Sequence, residues 1–264
     1  MRTILGTLAL TASLALPAAG QARQTDDSFK WTGSIRAGDW IHIDDLNGNV
    51  TVGPASGSEI QVTAVKRWRR GDPAMVRIEA KKVGDNVVVC ALWGERSTCD
   101  ERGAHRNENR GDRNRNNDVS VELNVLVPRG VKIGVGTVNG SVTVDGATST
   151  VEASSVNGEV DVSTTGGPVN AESTNGNVRA RMGRVDGDEP MSFTTVNGNV
   201  IVEFTGDFGG DVDLSTVNGS LNTNFEMTLS GRLDPKHLRA HIGKPGGPRM
   251  KLETVNGSVE LRKR

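Results

Sequence analysis

The sequence predicts an all-β fold, a single-stranded parallel β-helix (β-solenoid) with short rungs and Asn-Gly corners. Asn-Gly recurs in one setting seven times, at Asn47, Asn139, Asn157, Asn175, Asn197, Asn218 and Asn256. In every copy the residues six and four before the Asn and three after it are apolar, and most residues between them are polar. This pattern indicates two strands of period two joined by a corner. From Asn139 onward the copies lie 18, 18, 22, 21 and 38 residues apart. A period of 18–22 residues is typical of solenoid rungs, and 38 is read as two rungs, one of them degenerate.

The Asn-Gly corner fits two geometries. In a tight hairpin, Phe193 would face Val202 across the turn. In a solenoid, the corner leads into the next sheet, and identical corners stack from rung to rung. Asn and Gly enter positive φ at least cost, which suits either sharp turn. The repeat period favours stacking, and stacked Asn side chains would then form a hydrogen-bonded ladder along the axis.

The N-terminal residues 1–22 resemble a secretory signal peptide. An apolar run from Ile4 to Leu16 follows Arg2, and small residues follow the run. The run is too short for a membrane span, which needs about 20 apolar residues. We therefore expect a secreted or periplasmic (cell-envelope) protein without a transmembrane segment in the mature chain.

Residues 23–100 are predicted to form an N-terminal β segment that contains the first repeat copy. Val76 to Lys82 fits a short helix or a strand, and a strand is favoured because a turn and three valines follow. Cys90 and Cys99 are the only cysteines. Outside the cytoplasm such a pair is expected to form a disulfide, whereas two thiols without a nearby His pair are too few for a metal site.

Residues 101–118 are predicted to be a flexible Arg/Asn-rich loop. Ala104 is its only apolar side chain, so the segment cannot bury enough surface to offset the entropy of ordering. The loop contains Arg110-Gly111-Asp112, an integrin-type tripeptide that such a composition produces easily by chance. Residues 119–264 are then predicted to be the solenoid repeats. Between the last two copies, residues 229–248 would form a bulged rung or a protruding hairpin.

The charge balance argues against a nucleic-acid binder, because 31 basic residues face 32 acidic ones. One basic cluster stands out, where four cations surround an indole at a predicted strand end: Lys66, Arg67, Trp68, Arg69 and Arg70. It would contact phosphate or carboxylate groups of an anionic envelope polymer, or it would simply be a solvated strand end.

Two other clusters were considered for chemistry. Glu159, Asp161 and Arg179 fall on neighbouring outward faces. A catalytic site would show this pattern of charges, and so would an ordinary solvated surface. His237 and His241 have the spacing of a helical zinc motif, but they lie in a Gly-rich region without a third ligand, so we expect surface residues. No catalytic residue, metal or cofactor is predicted.

The reiterated [ST]-V-N-G-x-V pattern after a signal peptide resembles that of a bacterial putative-adhesin family of unknown function, related to autotransporter-like adhesin head domains. The resemblance is best from Val119 to Leu261. It implies a right-handed β-helix and an envelope or secreted location, and it carries over no catalytic residue. We therefore expect a non-enzymatic adhesin or binding/structural module whose partner is an anionic polymer, a glycan or another surface protein. The alternatives are a carbohydrate-binding or carbohydrate-cleaving β-helix and an envelope-stress regulatory partner.

Overall fold

The computed structural model describes residues 22–24, 28–105, 117–185, 187–231, 234–243 and 246–264. The predicted signal peptide lies outside the described residues except for Ala22. The centre of the Arg/Asn-rich loop, including the tripeptide at 110–112, also lies outside them.

The described chain consists of strands, apart from one short 3-10 turn at Pro73–Met75. In chain order the strands are β1 (Ala22–Gln24), β2 (Ser28–Ser34), β3 (Trp40–Asp44), β4 (Val50–Pro54), β5 (Glu59–Arg67), β6 (Val76–Val83), β7 (Asn86–Trp93), β8 (Thr98–Asp100), β9 (Gly103–His105), β10 (Ser120–Val127), β11 (Lys132–Asn139), β12 (Val142–Ala147), β13 (Val151–Asn157), β14 (Val160–Thr164), β15 (Val169–Asn175), β16 (Val178–Met182), β17 (Met191–Asn197), β18 (Val200–Phe204), β19 (Gly210–Asn218), β20 (Leu221–Thr223), β21 (Thr228–Leu229), β22 (His237–Ile242), β23 (Arg249–Asn256) and β24 (Val259–Lys263).

These strands form two long sheets and one small hairpin. Sheet A has the order β1-β6-β7-β3-β11-β13-β15-β17-β23-β19-β22-β21. Sheet B has the order β2-β5-β10-β4-β12-β14-β16-β18-β24-β20, and β8 and β9 pair only with each other. The strands from β3 to β19 in sheet A and from β10 to β20 in sheet B are parallel to their neighbours. The predicted all-β fold with stacked parallel strands is confirmed.

Each Asn-Gly corner joins a strand of sheet A to a strand of sheet B, so the two sheets pack on each other through one continuous core. Strands with alternating apolar residues turn those residues inward, as in β13 and β14, where Val151, Val160 and Val162 are fully buried. Valine and alanine fill most rungs, and Phe193 and Phe204 add bulk near the C-terminal end. The corner is therefore the turn of a solenoid rung.

The last rung does not occupy the last place in the stack. β23 lies between β17 and β19, and β24 lies between β18 and β20. The corner of Asn256 thus sits between the corners of Asn197 and Asn218. The expectation that 38 residues hold two successive rungs is wrong. Residues after Asn218 instead cover the end of sheet A with the antiparallel strands β22 and β21, and the chain then returns to insert one rung.

The N-terminal end also departs from chain order. β3 and β4 form the first rung, and β7 and β10 stack beyond it as parallel neighbours. Antiparallel strands follow on the outside, with β6 against β7 in sheet A and β5 against β10 in sheet B. β3 and β4 pair with β11 and β12 on their other side. Both sheets therefore run without a break through the parts of the chain before and after the Arg/Asn-rich loop.

Candidate functional site

The corners carry a column of asparagine side chains on the molecular surface. Five hydrogen bonds of 2.8 to 2.9 Å, each from Nδ2 of one Asn to Oδ1 of the next, connect six of them in the stacking order. These six are Asn139, Asn157, Asn175, Asn197, Asn256 and Asn218. Asn47 pairs with Asn139 through a backbone bridge, and its Nδ2 donates to the carbonyl oxygen of Val119 at 2.7 Å.

The conformational role expected for these asparagines is wrong. Among the described residues, positive φ occurs only at glycine. The glycine of each corner is needed instead because successive backbones touch. A Cβ on Gly176 would lie 2.0 Å from the carbonyl oxygen of Gly158, and a Cβ on Gly198 would lie 2.1 Å from that of Gly176. We call the stacked corner glycines the glycine column; its members are Gly48, Gly140, Gly158, Gly176, Gly198, Gly257 and Gly219.

A third column is formed by the Ser or Thr that stands two residues before six of the seven corner asparagines; before Asn47 this position is Asp45. The hydroxyl of Ser173 donates to the carbonyl oxygen of Gly158 at 2.8 Å, and five other rungs repeat this bond. The six side chains are Thr137, Ser155, Ser173, Thr195, Thr254 and Thr216, and all are buried. At the end of the stack Lys236 Nζ donates to the carbonyl oxygen of Gly219. The hydroxyls are therefore internal donors that satisfy corner carbonyls.

A disulfide between Cys90 and Cys99 fastens the β8–β9 hairpin to the outer face of sheet A. Val88, Cys90, Leu92 and Cys99 form a small second apolar cluster beneath the hairpin. Beyond the tether, the backbone N–H of Ala104 donates to Asp44 Oδ2 at 3.0 Å. The hairpin thus lies over the sheet, with Arg102 at its tip.

The basic cluster at the end of β5 is split between the two faces of the strand. Lys66 is only 3% exposed, and its Nζ donates to the carbonyl oxygen of Pro73 at 3.0 Å. It points inward because residues of a strand alternate between faces. Arg67, Arg69 and Arg70 are exposed, and Trp68 is 38% exposed. We call these four residues the basic turn; Lys66 is not part of its surface.

Asp118 holds the backbone of the basic turn. Its carboxylate accepts hydrogen bonds from the N–H groups of Arg69, Arg70 and Gly71, the shortest being 2.7 Å from Gly71. These bonds, with that from Gly71 contributing most, lower the pKa of Asp118 below its ordinary value. The carboxylate is therefore charged at neutral pH, and it fixes the turn while the arginine side chains remain outside.

The acidic cluster on sheet B is arranged as ion pairs. Asp161 lies 3.1 Å from Arg181 and 3.7 Å from Arg179. Glu159 accepts a hydrogen bond of 2.9 Å from Asn177 on the next rung. These contacts link neighbouring rungs and leave Asp161 engaged by two guanidinium groups.

His237 and His241 lie on β22, a strand rather than a helix, with one carboxylate each. His237 Nε2 is 2.8 Å from Asp213 Oδ1, and His241 Nδ1 is 2.8 Å from Asp211 Oδ1. Arg239 Nε donates to the other oxygen of Asp213 at 3.0 Å. Within the described part of the chain, no group of three or more His, Cys, Asp and Glu side chains is arranged to hold a metal ion. The same residues contain no helix long and apolar enough to cross a membrane.

A solved putative cell adhesion protein from Clostridium sporogenes ATCC 15579 is similar at 10% identity, with 90% of this chain and 99% of that one covered and a TM-score of 0.39. A solved putative adhesin from Bacteroides fragilis NCTC 9343 is similar at 8% identity, with 89% and 97% covered and a TM-score of 0.31. No curated protein matches the chain.

Two parallel sheets joined rung by rung through Asn-Gly corners make this protein a β-solenoid. The family comparison is more specific, because the model of the Toastrack DUF4097 family matches residues 100–262. The chain belongs to this family. The matched segment includes all the corners from Asn139 to Asn256 and excludes the first rung.

Proposed function

We propose that the protein is a non-enzymatic binding module of the cell envelope, secreted or periplasmic, that contacts anionic polymers through the basic turn. The signal peptide predicted at residues 1–22 and the disulfide support a location outside the cytoplasm. Membership of the Toastrack DUF4097 family fits a binding or structural module. The right-handed, single-stranded winding implied by the sequence resemblance is part of the same proposal.

The observation that carries this proposal is the way Asp118 organises the basic turn. Its bonds to three consecutive N–H groups pin the backbone, so that binding would not have to order a flexible segment first. Lys66 is directed into the protein, and three exposed guanidinium groups therefore remain beside a half-exposed indole. Asp118 binds only the backbone N–H groups of the turn, so the guanidinium groups themselves are left to contact a ligand.

Arginine is suited to the proposed ligand. A guanidinium group forms paired hydrogen bonds with phosphate or carboxylate oxygens, and it sheds water more readily than an ammonium group. Trp68 would stack on a sugar ring of the same polymer. Because exposed charges are screened over about 8–10 Å at physiological salt, binding should weaken as the salt concentration rises.

The test compares wild type with the triple variant Arg67→Ser, Arg69→Ser and Arg70→Ser in binding to lipopolysaccharide and to teichoic acid at several salt concentrations. We expect salt-sensitive binding by the wild type, its loss in the triple variant, and equal melting temperatures. A second triple variant that removes the same charge elsewhere, Arg36→Ser, Arg129→Ser and Arg249→Ser, should bind like wild type. Absence of binding by the wild type, or equal losses in both variants, would refute the proposal.

A further inference from the structure

A groove of about 370 Å³ crosses the outer face of sheet A, away from the basic turn. It extends across four neighbouring strands, β3, β11, β13 and β15, to the edge of β17. We call it the sheet A groove. His42, Gly134, Gly136, Glu152, Asn170 and Glu172 are among the residues that line it.

The groove exists because β11 carries glycine at both of its outward positions there. Gly134 lies in register between His42 and Glu152, and Gly136 lies between Asp44 and Ser154. A Cβ on Gly134 would lie 2.7 Å from Nδ1 of His42, and one on Gly136 would lie 3.0 Å from Oγ of Ser154, so the two glycines leave room for these neighbouring side chains along the groove. The His42 ring, which stacks on Trp40 at 5.4 Å between ring centroids, forms one wall.

The β8–β9 hairpin closes the groove at the Asp44 end. The disulfide holds this hairpin against sheet A, and Arg102 at its tip lines the groove. The wall is therefore covalently tethered, and the shape of the groove is maintained without a ligand.

Charge in the groove is predominantly negative. Asp44, Glu152 and Glu172 face one cationic side chain, that of Arg102. Among the described residues, Glu152 and Glu172 are exposed and form no ion pair. Among the other described acids on the solenoid strands, Glu122 and Asp145 also form no ion pair, whereas five have a cationic side chain within 4.0 Å; these are Asp161, Glu203, Asp213, Glu253 and Glu260.

We propose that the sheet A groove binds an extended glycan that carries free amino groups. The protonated amines would supply the cations that Glu152 and Glu172 lack. The surrounding groups suit sugar hydroxyls, because carboxylates accept hydrogen bonds while Asn170, Ser154 and Ser192 both donate and accept. This site is separate from the basic turn and prefers ligands of the opposite charge. A negative result for one proposal therefore does not affect the other.

The arrangement of the acids favours a chain that runs across the strands. Glu152 and Glu172 lie on adjacent strands and are offset by two residues, which places their Cα atoms about 8 Å apart. Successive strands repeat every ~4.8 Å, a step comparable to the length of one sugar residue in an extended glycan. A glycan lying diagonally across β13 and β15 would therefore bring amino groups about 8 Å apart to Glu152 and Glu172.

The test is calorimetric titration of the full protein with a β-linked glucosamine hexasaccharide at low salt and mildly acidic pH, where the amines are protonated. The matched N-acetylated hexasaccharide has the same chain without charge, and an oligogalacturonate is the anionic counterpart. We expect the glucosamine chain to bind, the acetylated chain to bind more weakly, and the anionic chain not to bind at this site.

Two double variants locate the binding. Glu152→Gln with Glu172→Gln removes the groove charge and keeps side-chain size; it should weaken glucosamine binding about tenfold, a factor of about three for each exposed ion pair. Glu59→Gln with Glu226→Gln removes two exposed acids outside the groove and should leave affinity unchanged. The proposal is overturned if the glucosamine chain does not bind wild type, or if both double variants behave alike. Equally tight binding of a lysine hexapeptide would also overturn it, by showing a general acidic surface.

Discussion

Replacement of Gly176 by Ala tests whether the glycine column sets the distance between rungs. Gly176 lies in the middle of the stack, and an added Cβ would be 2.0 Å from the carbonyl oxygen of Gly158. Since real Cβ atoms essentially never come within 3.0 Å of such a neighbour, the two corners would have to separate by at least 1.0 Å (3.0 − 2.0). Both contacting groups belong to backbone that is held by strands on each side, so no flexible side chain can absorb the movement.

The cost follows from the hydrogen bonds between these two corners. They are Ser173 Oγ to Gly158 O at 2.8 Å, Asn175 Nδ2 to Asn157 Oδ1 at 2.9 Å, and Val160 N to Asn177 O at 2.9 Å. A separation of about 1 Å lengthens each of them beyond hydrogen-bonding range. At about 0.5–1.5 kcal/mol for each bond, Gly176→Ala should lower the free energy of unfolding by about 2–4 kcal/mol. This is a large part of the 5–15 kcal/mol that is typical of a folded domain.

Urea denaturation followed by circular dichroism, with the disulfide intact, measures the change. Gly206→Ala is the matched control, because a Cβ there meets nothing within 4 Å. It should leave stability within about 0.5 kcal/mol of wild type or raise it slightly. If Gly176→Ala were as stable as the control, the close stacking of the glycine column would be wrong.

Three further predictions concern individual contacts. Ser173→Ala should lower the free energy of unfolding by about 1–2 kcal/mol, because it removes a buried donor to a corner carbonyl. Asn175→Ala, on the surface, should lower it by about 0.5–1 kcal/mol in the same denaturation assay. A larger loss for Asn175→Ala than for Ser173→Ala would contradict the roles of the two columns. A thiol assay on purified protein should detect no free Cys90 or Cys99 until the protein is unfolded and reduced, and reactive thiols before that would refute the tether. Asp118 has a lowered pKa in the folded state, so its contribution to stability is complete above its ordinary value of 3.8 and is lost as pH falls below it. Stability of Asp118→Asn should therefore fall less steeply than that of wild type in acid, and parallel profiles would exclude this role.

Much of the fold could be predicted because the repeat shows which residues of successive strands lie side by side. Apolar residues at fixed distances from each Asn determine which side of the strand is buried, and the short period requires stacking rather than separate domains. The corner asparagines lie in one column for the same reason. The recurring Ser or Thr is visible in the sequence as well, but only the fold shows that its hydroxyl lies beside a corner carbonyl, as Ser173 does beside Gly158.

Other features depend on contacts that a repeat pattern does not contain. All rungs share the same corner chemistry, so the sequence could not show that the Asn256 rung precedes the Asn218 rung in the stack. The inward direction of Lys66 follows from strand alternation, but the adjacent run of cationic residues led to its assignment to the exposed basic cluster. The sheet A groove forms where two outward glycines of β11 lie between larger side chains of β13, the next rung in the sequence, and of β3, which is encoded far earlier, so no local motif predicts it.

The displaced final rung has a consequence for how the molecule reaches its native state. Rungs cannot be added strictly in sequence order, because the place between β17 and β19 is filled by β23, which follows both of them in the sequence. Until β23 and β24 arrive, β19 and β20 have no native neighbour on that side. Completion of the core thus requires β23 and β24 to contact strands that precede them in the sequence, and a chain lacking residues 249–264 would have an incomplete interior rather than a shorter stack.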